Sequence, residues 1–308
     1  MPAARSDLMT PGSASSLVCS ELSLDQELVG TAPTAIAWVI VEYSGSWSRD
    51  APSAETFSGD PLGSELLRAT AALESLGAKV LLARESGATH APLHRDSRAW
   101  IAQAPDYAPR LGTVGELIDR VGASNGHSLD DLLDKATGSA AGGPHLFVCS
   151  HGKRDQCCAV KGRALVRELK STITHVWECS HLGGHRFAPT ALLLPHAGVF
   201  GRLNYPSINS ILDGSSLGLE QLRGLTSLSS DQQVVDVAAK KFWRLPWFTH
   251  LSIDSIEADS ETSTFLAKAP DERRIRCTVR QSIERLPVSC GKPASETKVW
   301  KVEDLREE

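Results

Sequence analysis

Two short segments near the middle of the chain, CSHGKRDQCC at Cys149 to Cys158 and CSHLGGH at Cys179 to His185, hold four of the seven cysteines and three of the ten histidines. The first follows the apolar run HLFVC and the second follows THVWEC, so each group of thiols and imidazoles leaves the carboxyl end of an expected strand. Adjacent parallel strands bring such loops to one edge of a sheet, where α/β proteins keep their sites. Any fold for this chain therefore has to bring two segments about 30 residues apart into one place.

The surrounding elements agree with that demand. TAIAWVIVEYSG, from Thr34, is a continuous β-branched and aromatic run expected to form a buried strand. LGSELLRATAALESLG, from Leu62, has helical spacing and ends at Gly77, and AKVLLARES, from Ala78, is a second strand. TVGELIDRVG begins a helix at Thr113. This β-α-β order implies a parallel sheet in the N-terminal half. Glycine and small residues between Gly126 and Gly143 mark a boundary.

Beyond it, the chain predicts a strand over 145–149, the first Cys/His loop, a helix over 159–170 and a strand over 174–179. The second loop, a hairpin around His196, Ala197 and Gly198, and a helix opened by Asp231 follow. That order, β-α-β then hairpin then helix, is the order of a thioredoxin-like domain. The expected organisation is a tail without structure over 1–16, an N-terminal α/β region over 17–140, a thioredoxin-like domain over 141–248, and C-terminal strands and tail over 249–308. The two halves show no duplication at the level of sequence.

Composition narrows the function. A net charge of −5 with no block of basic residues offers no attraction to nucleic acid or acidic membrane surfaces. No apolar stretch approaches the roughly 18 residues of a membrane span, and MPAARSDLMTPGSASS lacks an apolar signal core, so a cytoplasmic protein is expected. An odd number of cysteines crowded around histidines suits reduced thiols better than a disulfide framework. There is no Walker loop, nucleophile elbow or dinucleotide fingerprint, hence no basis for an NAD or flavin site.

Eight residues lie between Cys149 and Cys158, and three between His181 and His185. Four such ligands complete either a tetrahedral zinc site or one [2Fe-2S] cluster with two protein ligands per iron. A metalloprotease helix is excluded, because Gly183 and Gly184 each disfavour a helical turn by roughly 1 kcal/mol and no glutamate follows His181. Those glycines suit a tight loop whose backbone approaches a cofactor. A Rieske box requires Cys-x-x-His in an all-β domain, which is absent.

CSHGKRDQCCAVKG followed by HVWECSHLGGHRFA, with GTAPTAIAWVIVEYSGSWSRD, VFGRL and RGLTSLSSDQQVVDVA, resembles the sucrase/ferredoxin-like family over roughly residues 17–245. The resemblance implies a thioredoxin-like ferredoxin with a [2Fe-2S] cluster on Cys149, Cys158, His181 and His185, bis-histidinyl and not of Rieske type. It implies a one-electron carrier rather than an enzyme with its own substrate, and a redox partner such as a ferredoxin reductase-type flavoprotein. The family's name gives no reason to expect sugar hydrolysis. Exchanging two thiolates for neutral imidazoles leaves a less negative cluster, so the potential should exceed that of an all-cysteine ferredoxin. A ligating histidine that keeps or loses its second proton couples the potential to pH.

Cys157 competes with Cys158 for the ligand position, and the family spacing favours Cys158. His151, Arg154, Cys157, Gly183 and Gly184 are expected around the ligands. Arg154 either pairs with Asp155, caps the next helix or offsets cluster charge, and Arg186 is read as a solvated surface residue or, again, as an offset to cluster charge. Cys19, Cys277 and Cys290 are read as buried small residues. Two rivals remain: a zinc-binding structural or regulatory protein using the same four ligands, and a thiol-disulfide enzyme with Cys157 or Cys158 as nucleophile, which lacks the usual CxxC.

Overall fold

The computed structural model describes residues 18–123, 128–133 and 138–308. The expected tail over 1–16 and part of the Gly126 to Gly143 boundary lie outside these. Helix α1 (Cys19–Leu22) precedes β1 (Ala37–Glu42), whose first five residues are all buried because both faces of the strand are covered. Helix α2 (Gly63–Ser75) crosses over to β2 (Ala78–Arg84), which runs parallel to β1. Strand β3 (Arg98–Gln103) pairs antiparallel on the other side of β1, and β4 (Arg110–Thr113) pairs antiparallel with β3. Helix α3 (Val114–Ala123) follows at once, with Thr113 Oγ1 accepting from Glu116 N at 3.1 Å while Thr113 N donates to Glu116 Oε2 at 2.9 Å. This reciprocal cap bears out the helix start read at Thr113. Short elements α4 (Leu129–Leu132) and β5 (Ser139–Ala140) complete this half.

The second half repeats the plan. Strand β6 (His145–Cys149) leads through a π-helical turn (Cys158–Gly162) and α5 (Arg163–Leu169) to β7 (Val176–Cys179), parallel to β6. Strands β8 (Ala191–Leu194) and β9 (Gly198–Phe200) form the expected hairpin, with β8 antiparallel to β6. Helix α6 (Tyr205–Leu212), β10 (Leu222–Leu225) and α7 (Ser230–Trp243) follow. The N-cap of α7 is Ser229, two residues before the expected Asp231. The strand orders β2-β1-β3-β4 and β7-β6-β8-β9 are equivalent, and the halves join edge to edge where β2 meets β7 antiparallel at Ala83 and Cys179. The result is one ten-stranded sheet. The duplication absent from the sequence is present in the topology.

The pleat of β1 sorts its side chains between two cores. Val39 and Val41 face α2 and α3, while Trp38 and Ile40 face a core shared by both halves. In that shared core Trp100 of β3 packs edge-on against Trp177 of β7 and Phe147 of β6, with ring centroids 4.7 and 5.6 Å apart. The aromatic contact reinforces a seam that has only a short ladder of its own.

After α7, β11 (Ser252–Ala258), β12 (Thr262–Lys268), β13 (Arg274–Leu286) and β14 (Ser295–Glu307) form a separate antiparallel meander. Alternate residues Phe265, Ala267, Ile275, Cys277 and Val279 pack against Val235, Ala239 and Trp243 of α7. The β13–β14 loop carries Cys290 back toward the first Cys/His loop. No helix among the described residues is long and apolar enough to cross a membrane.

Candidate metal centre

Both loops leave the carboxyl ends of parallel β6 and β7, where Cys149 and Cys179 are direct register partners. The strand ends are fixed from several sides. Cys149 N donates to Thr190 O at 2.9 Å, Ser150 N to Cys179 O at 3.1 Å, and Ser180 N to Leu82 O of β2 at 2.8 Å. Glu178 accepts from Ser150 Oγ at 2.9 Å and from Arg84 at 3.1 Å.

From this frame the Cys149 and Cys158 thiols and a His181 ring nitrogen come within 4.8 Å of one another. The thiols are buried and His181 is half-buried. Cys158 reaches its place on the π-helical turn, which presses so closely on the end of β6 that a Cβ at Gly162 would lie 2.0 Å from the Cys149 carbonyl oxygen. Gly162 itself has ordinary helical angles, so its lack of a side chain serves this approach.

His185 is not part of that close group, but its ring centroid is 5.2 Å from that of His181. The turn between them uses Gly183 and Gly184 at φ 77° and 68°, a left-handed pair that bends the chain into the short 3-10 turn His185–Phe187. His181 Nδ1 and both ring nitrogens of His185 are buried without a hydrogen-bond partner, although His185 Nε2 lies 3.4 Å from Asp155 Oδ2. Buried nitrogens left unpaired next to two thiols suit coordination to a metal, which would satisfy them.

The two thiols are shifted in opposite directions. Cys149 is held well below its ordinary range, first by the hydrogen bond from Cys158 and then by His181, against the opposing effect of burial. Cys158 is pushed up, first by that hydrogen bond to Cys149 and then by burial. Burial lowers His185 against the opposing effect of Asp155, which favours the neutral imidazole, the form that offers a lone pair.

The surrounding residues differ in part from expectation. His151 donates from Nε2 to Ser48 O at 2.7 Å and stands edge-on to Trp47. Arg154 pairs neither with Asp155 nor with a helix end; its ion pair is with Asp50 of the N-terminal half, so it braces the loop across the seam. Arg186 is half-buried rather than solvated, with its guanidinium 4.5 Å from the Phe187 ring centroid. Cys157 turns away from the ligand group, its Sγ 3.4 Å from Cys19 and 3.2 Å from Cys290. Cys19 and Cys290, read as buried small residues, are thus neighbours, while Cys277 packs in the core between α7 and the meander.

Arg223 of β10 was not singled out from the sequence, although it opens the RGLTSLSS segment. It is buried, donating from Nη1 to Gly183 O at 2.9 Å and from Nε to Thr31 Oγ1 at 3.0 Å, and also bonding Thr31 O through Nη2. Its guanidinium would be 2.5 Å from a Cβ at Gly184. The second glycine of the His loop therefore admits a buried cation directly behind it. Burial first, and then the neighbouring Arg186 charge, bring the Arg223 guanidinium down to about 9, against the opposing pull of the Cys149 and Cys158 thiols. On the other side, His181, Leu182 and Gly183 border a groove of about 350 Å³ together with Trp38, Asp50 and Arg154.

The family model described as sucrase/ferredoxin-like matches residues 28–224, a span that includes both Cys/His segments. The altered inheritance of mitochondria protein 32 of Meyerozyma guilliermondii is 32% identical over 79 residues, which cover 22% of this chain and 28% of that protein. No solved structure matches the chain.

Proposed function

The chain belongs to the sucrase/ferredoxin-like family, and on that premise we propose that it is a one-electron carrier holding a [2Fe-2S] cluster on Cys149, Cys158, His181 and His185. The observation that supports this most is the convergence of two thiols and an imidazole within 4.8 Å, with a second imidazole alongside. The β-α-β unit followed by a hairpin over β6 to β9, with strand order β7-β6-β8-β9, supports the thioredoxin-like reading, although α6 and β10 come between that hairpin and α7. Such a cluster supplies a one-electron couple, and with two neutral imidazoles in place of thiolates its potential lies above that of an all-cysteine cluster.

The chain's own residues supply positioning and electrostatics. Cys149 and Cys158 are fully enclosed, whereas His181 borders the groove, so the histidine side is the route by which an electron leaves or enters. Arg223 places a buried positive charge behind the His loop, which favours the added electron. Leu182 is buried and excludes water beside His181. The partner in this reading is a separate reductase of flavoprotein type that docks over the groove. Proton coupling attaches to His181 and His185, and a midpoint potential independent of pH between about 6 and 10 would remove it.

The deciding experiment is an absorption spectrum of anaerobically purified protein with iron, zinc and acid-labile sulfide assayed on the same sample. The expected result is a red-brown protein, bleached by dithionite, with iron and sulfide in equal amounts. A colourless protein with zinc on the same four residues, unchanged by anaerobic reconstitution, would make the site structural and end the electron-transfer reading.

A further inference from the structure

Beside the first group lies a second, built from parts of the chain far apart in sequence. Cys19 of α1, Cys157 of the first Cys/His loop and Cys290 of the β13–β14 loop place their sulfurs 3.4, 3.2 and 3.4 Å apart in a triangle. Asp155 closes the fourth side, with Oδ1 3.5 Å from Cys290 Sγ and 3.9 Å from Cys19 Sγ. We propose that Cys19, Cys157, Cys290 and Asp155 form a second metal site, for a single thiophilic, tetrahedral divalent cation, zinc foremost.

The geometry suits an ion better than any other use of three thiols. Zinc bonded to sulfur at about 2.3 Å and to a carboxylate oxygen at about 2.0 Å sets tetrahedral S···S edges near 3.8 Å and S···O edges near 3.5 Å. The observed S···O separations already reach that length. The sulfur triangle has to widen by about half an ångström, a side-chain adjustment. A disulfide requires a sulfur–sulfur bond of about 2.05 Å between two partners and leaves the third thiol and the carboxylate without a purpose.

The carboxylate is also held in place. Asp155 accepts from Cys157 N at 2.8 Å through Oδ1 and from Cys290 N at 3.2 Å through Oδ2, while Cys19 N donates to Cys290 Sγ at 3.4 Å. Backbone donors aimed at a sulfur and at a carboxylate fit groups that are anionic when an ion is bound. Arg186, whose Nε is buried without a partner, is close enough to Cys19 for their charges to interact, and offsets the negative charge left on such a site. Entry is available from a groove of about 470 Å³ bordered by Val18, Arg154, Asp155, Gln156, Cys290 and Lys292.

Four protein ligands with no open position make a structural site. Its effect is to fasten α1 and the C-terminal hairpin, 138 and 133 residues away, onto the loop that carries Cys158. The inference uses none of the four residues of the proposed cluster, so either reading survives the failure of the other.

The test is zinc content of the full chain by elemental analysis, combined with alkylation of the native protein read cysteine by cysteine in peptide mass spectra. Zinc-loaded protein should hold one equivalent that Cys19→Ser and Cys290→Ser each remove. Alkylation of Cys19, Cys157 and Cys290 should be slower with zinc than after chelation by about tenfold or more, since metal-bound thiolates are withdrawn from attack. The peptide readout assigns the metal in wild-type protein, so it distinguishes this site from zinc on Cys149 and Cys158 without relying on a variant that folds. Equal alkylation rates with and without zinc, an unchanged zinc content in a folded Cys290→Ser variant, or a disulfide among the three in protein kept free of oxygen would each overturn the proposal.

Discussion

Replacing Gly162 by alanine sets two effects of opposite sign against each other. Gly162 has φ −65° and ψ −48°, angles any residue adopts in a helix, and helix propensity alone favours alanine by about 1 kcal/mol. Packing opposes it. The new Cβ would sit 2.0 Å from the Cys149 carbonyl oxygen and 3.1 Å from its carbonyl carbon, more than an ångström inside contact. Both groups in the clash are backbone, one at the end of β6 and one on the π-helical turn, so no side chain can swing aside. Overpacking costs about 1–3 kcal/mol, and backbone against backbone belongs at the upper end. Subtracting the propensity gain leaves a net loss of about 2 kcal/mol. The same shift separates Cys149 from Cys158, so the metal content of the purified protein should fall with the stability. Gly122→Ala in α3 is the control, because nothing lies within 4 Å of the added Cβ there and a gain of about 0.5–1 kcal/mol is expected. Metal analysis of wild type and both variants as purified, followed by urea denaturation of the same proteins after the metal is removed, provides the comparison. A Gly162→Ala protein as stable as wild type, with its full metal content, would show that the turn does not bear on the ligand strand as described.

Two further outcomes follow from buried and bridged charges. Lys240 and Asp236 form a wholly enclosed pair 2.7 Å apart, with Lys240 also donating to Trp247 O; burial pushes the carboxyl up and the ammonium down. Lys240→Met should cost about 3–5 kcal/mol by stranding a buried carboxylate, while Lys240→Met with Asp236→Leu should recover most of it. A double-mutant cycle in urea without a coupling of at least about 2 kcal/mol would refute this account of the pair. Glu42 accepts from Arg98 at 2.8 and 2.7 Å, and those bonds hold its carboxyl below the ordinary 4.5. A depressed folded-state value means the contribution is present above the unfolded value and is lost as pH falls through the folded one. The stability advantage of wild type over Glu42→Gln should therefore shrink between about pH 5 and pH 3, and a constant difference across that window would contradict the bridge.

The parts of the fold readable from sequence were those whose signals are local. HLFVC is a strand over the expected residues, and the capping residues of α3 announce its start. The segment expected as one helix over 159–170 divides into a π-helical turn and α5, because its beginning is set by contact with Cys149 and not by periodicity. Strands β3 and β4 were not recognised: RAWIAQ and RLGT are short, and Trp100 declares itself as core only once β6 and β7 are beside it. The same contrast holds for the sites. Cys149, Cys158, His181 and His185 share a legible pattern because two loops 30 residues apart carry all four. The triangle of Cys19, Cys157 and Cys290 has no such pattern, since its members meet only after both ends of the chain have folded onto one loop.

The N-terminal half supplies no ligand to the first group, yet it holds both loops within four residues of Cys149, Cys158 and His181. Ser48 holds His151, two residues past Cys149; Asp50 holds Arg154, four before Cys158; Leu82 exchanges hydrogen bonds with Ser180, next to His181. Each contact crosses the seam where β2 meets β7. An isolated β6–β9 unit would leave those loops facing water on that side, with their backbone free to open. Joining two units of like topology by their edges turns the exposed end of one sheet into an enclosed crevice, with the N-terminal unit as its wall. The candidate metal centre is in this sense a property of the ten-stranded sheet, and the groove beside His181 is the opening that the seam leaves.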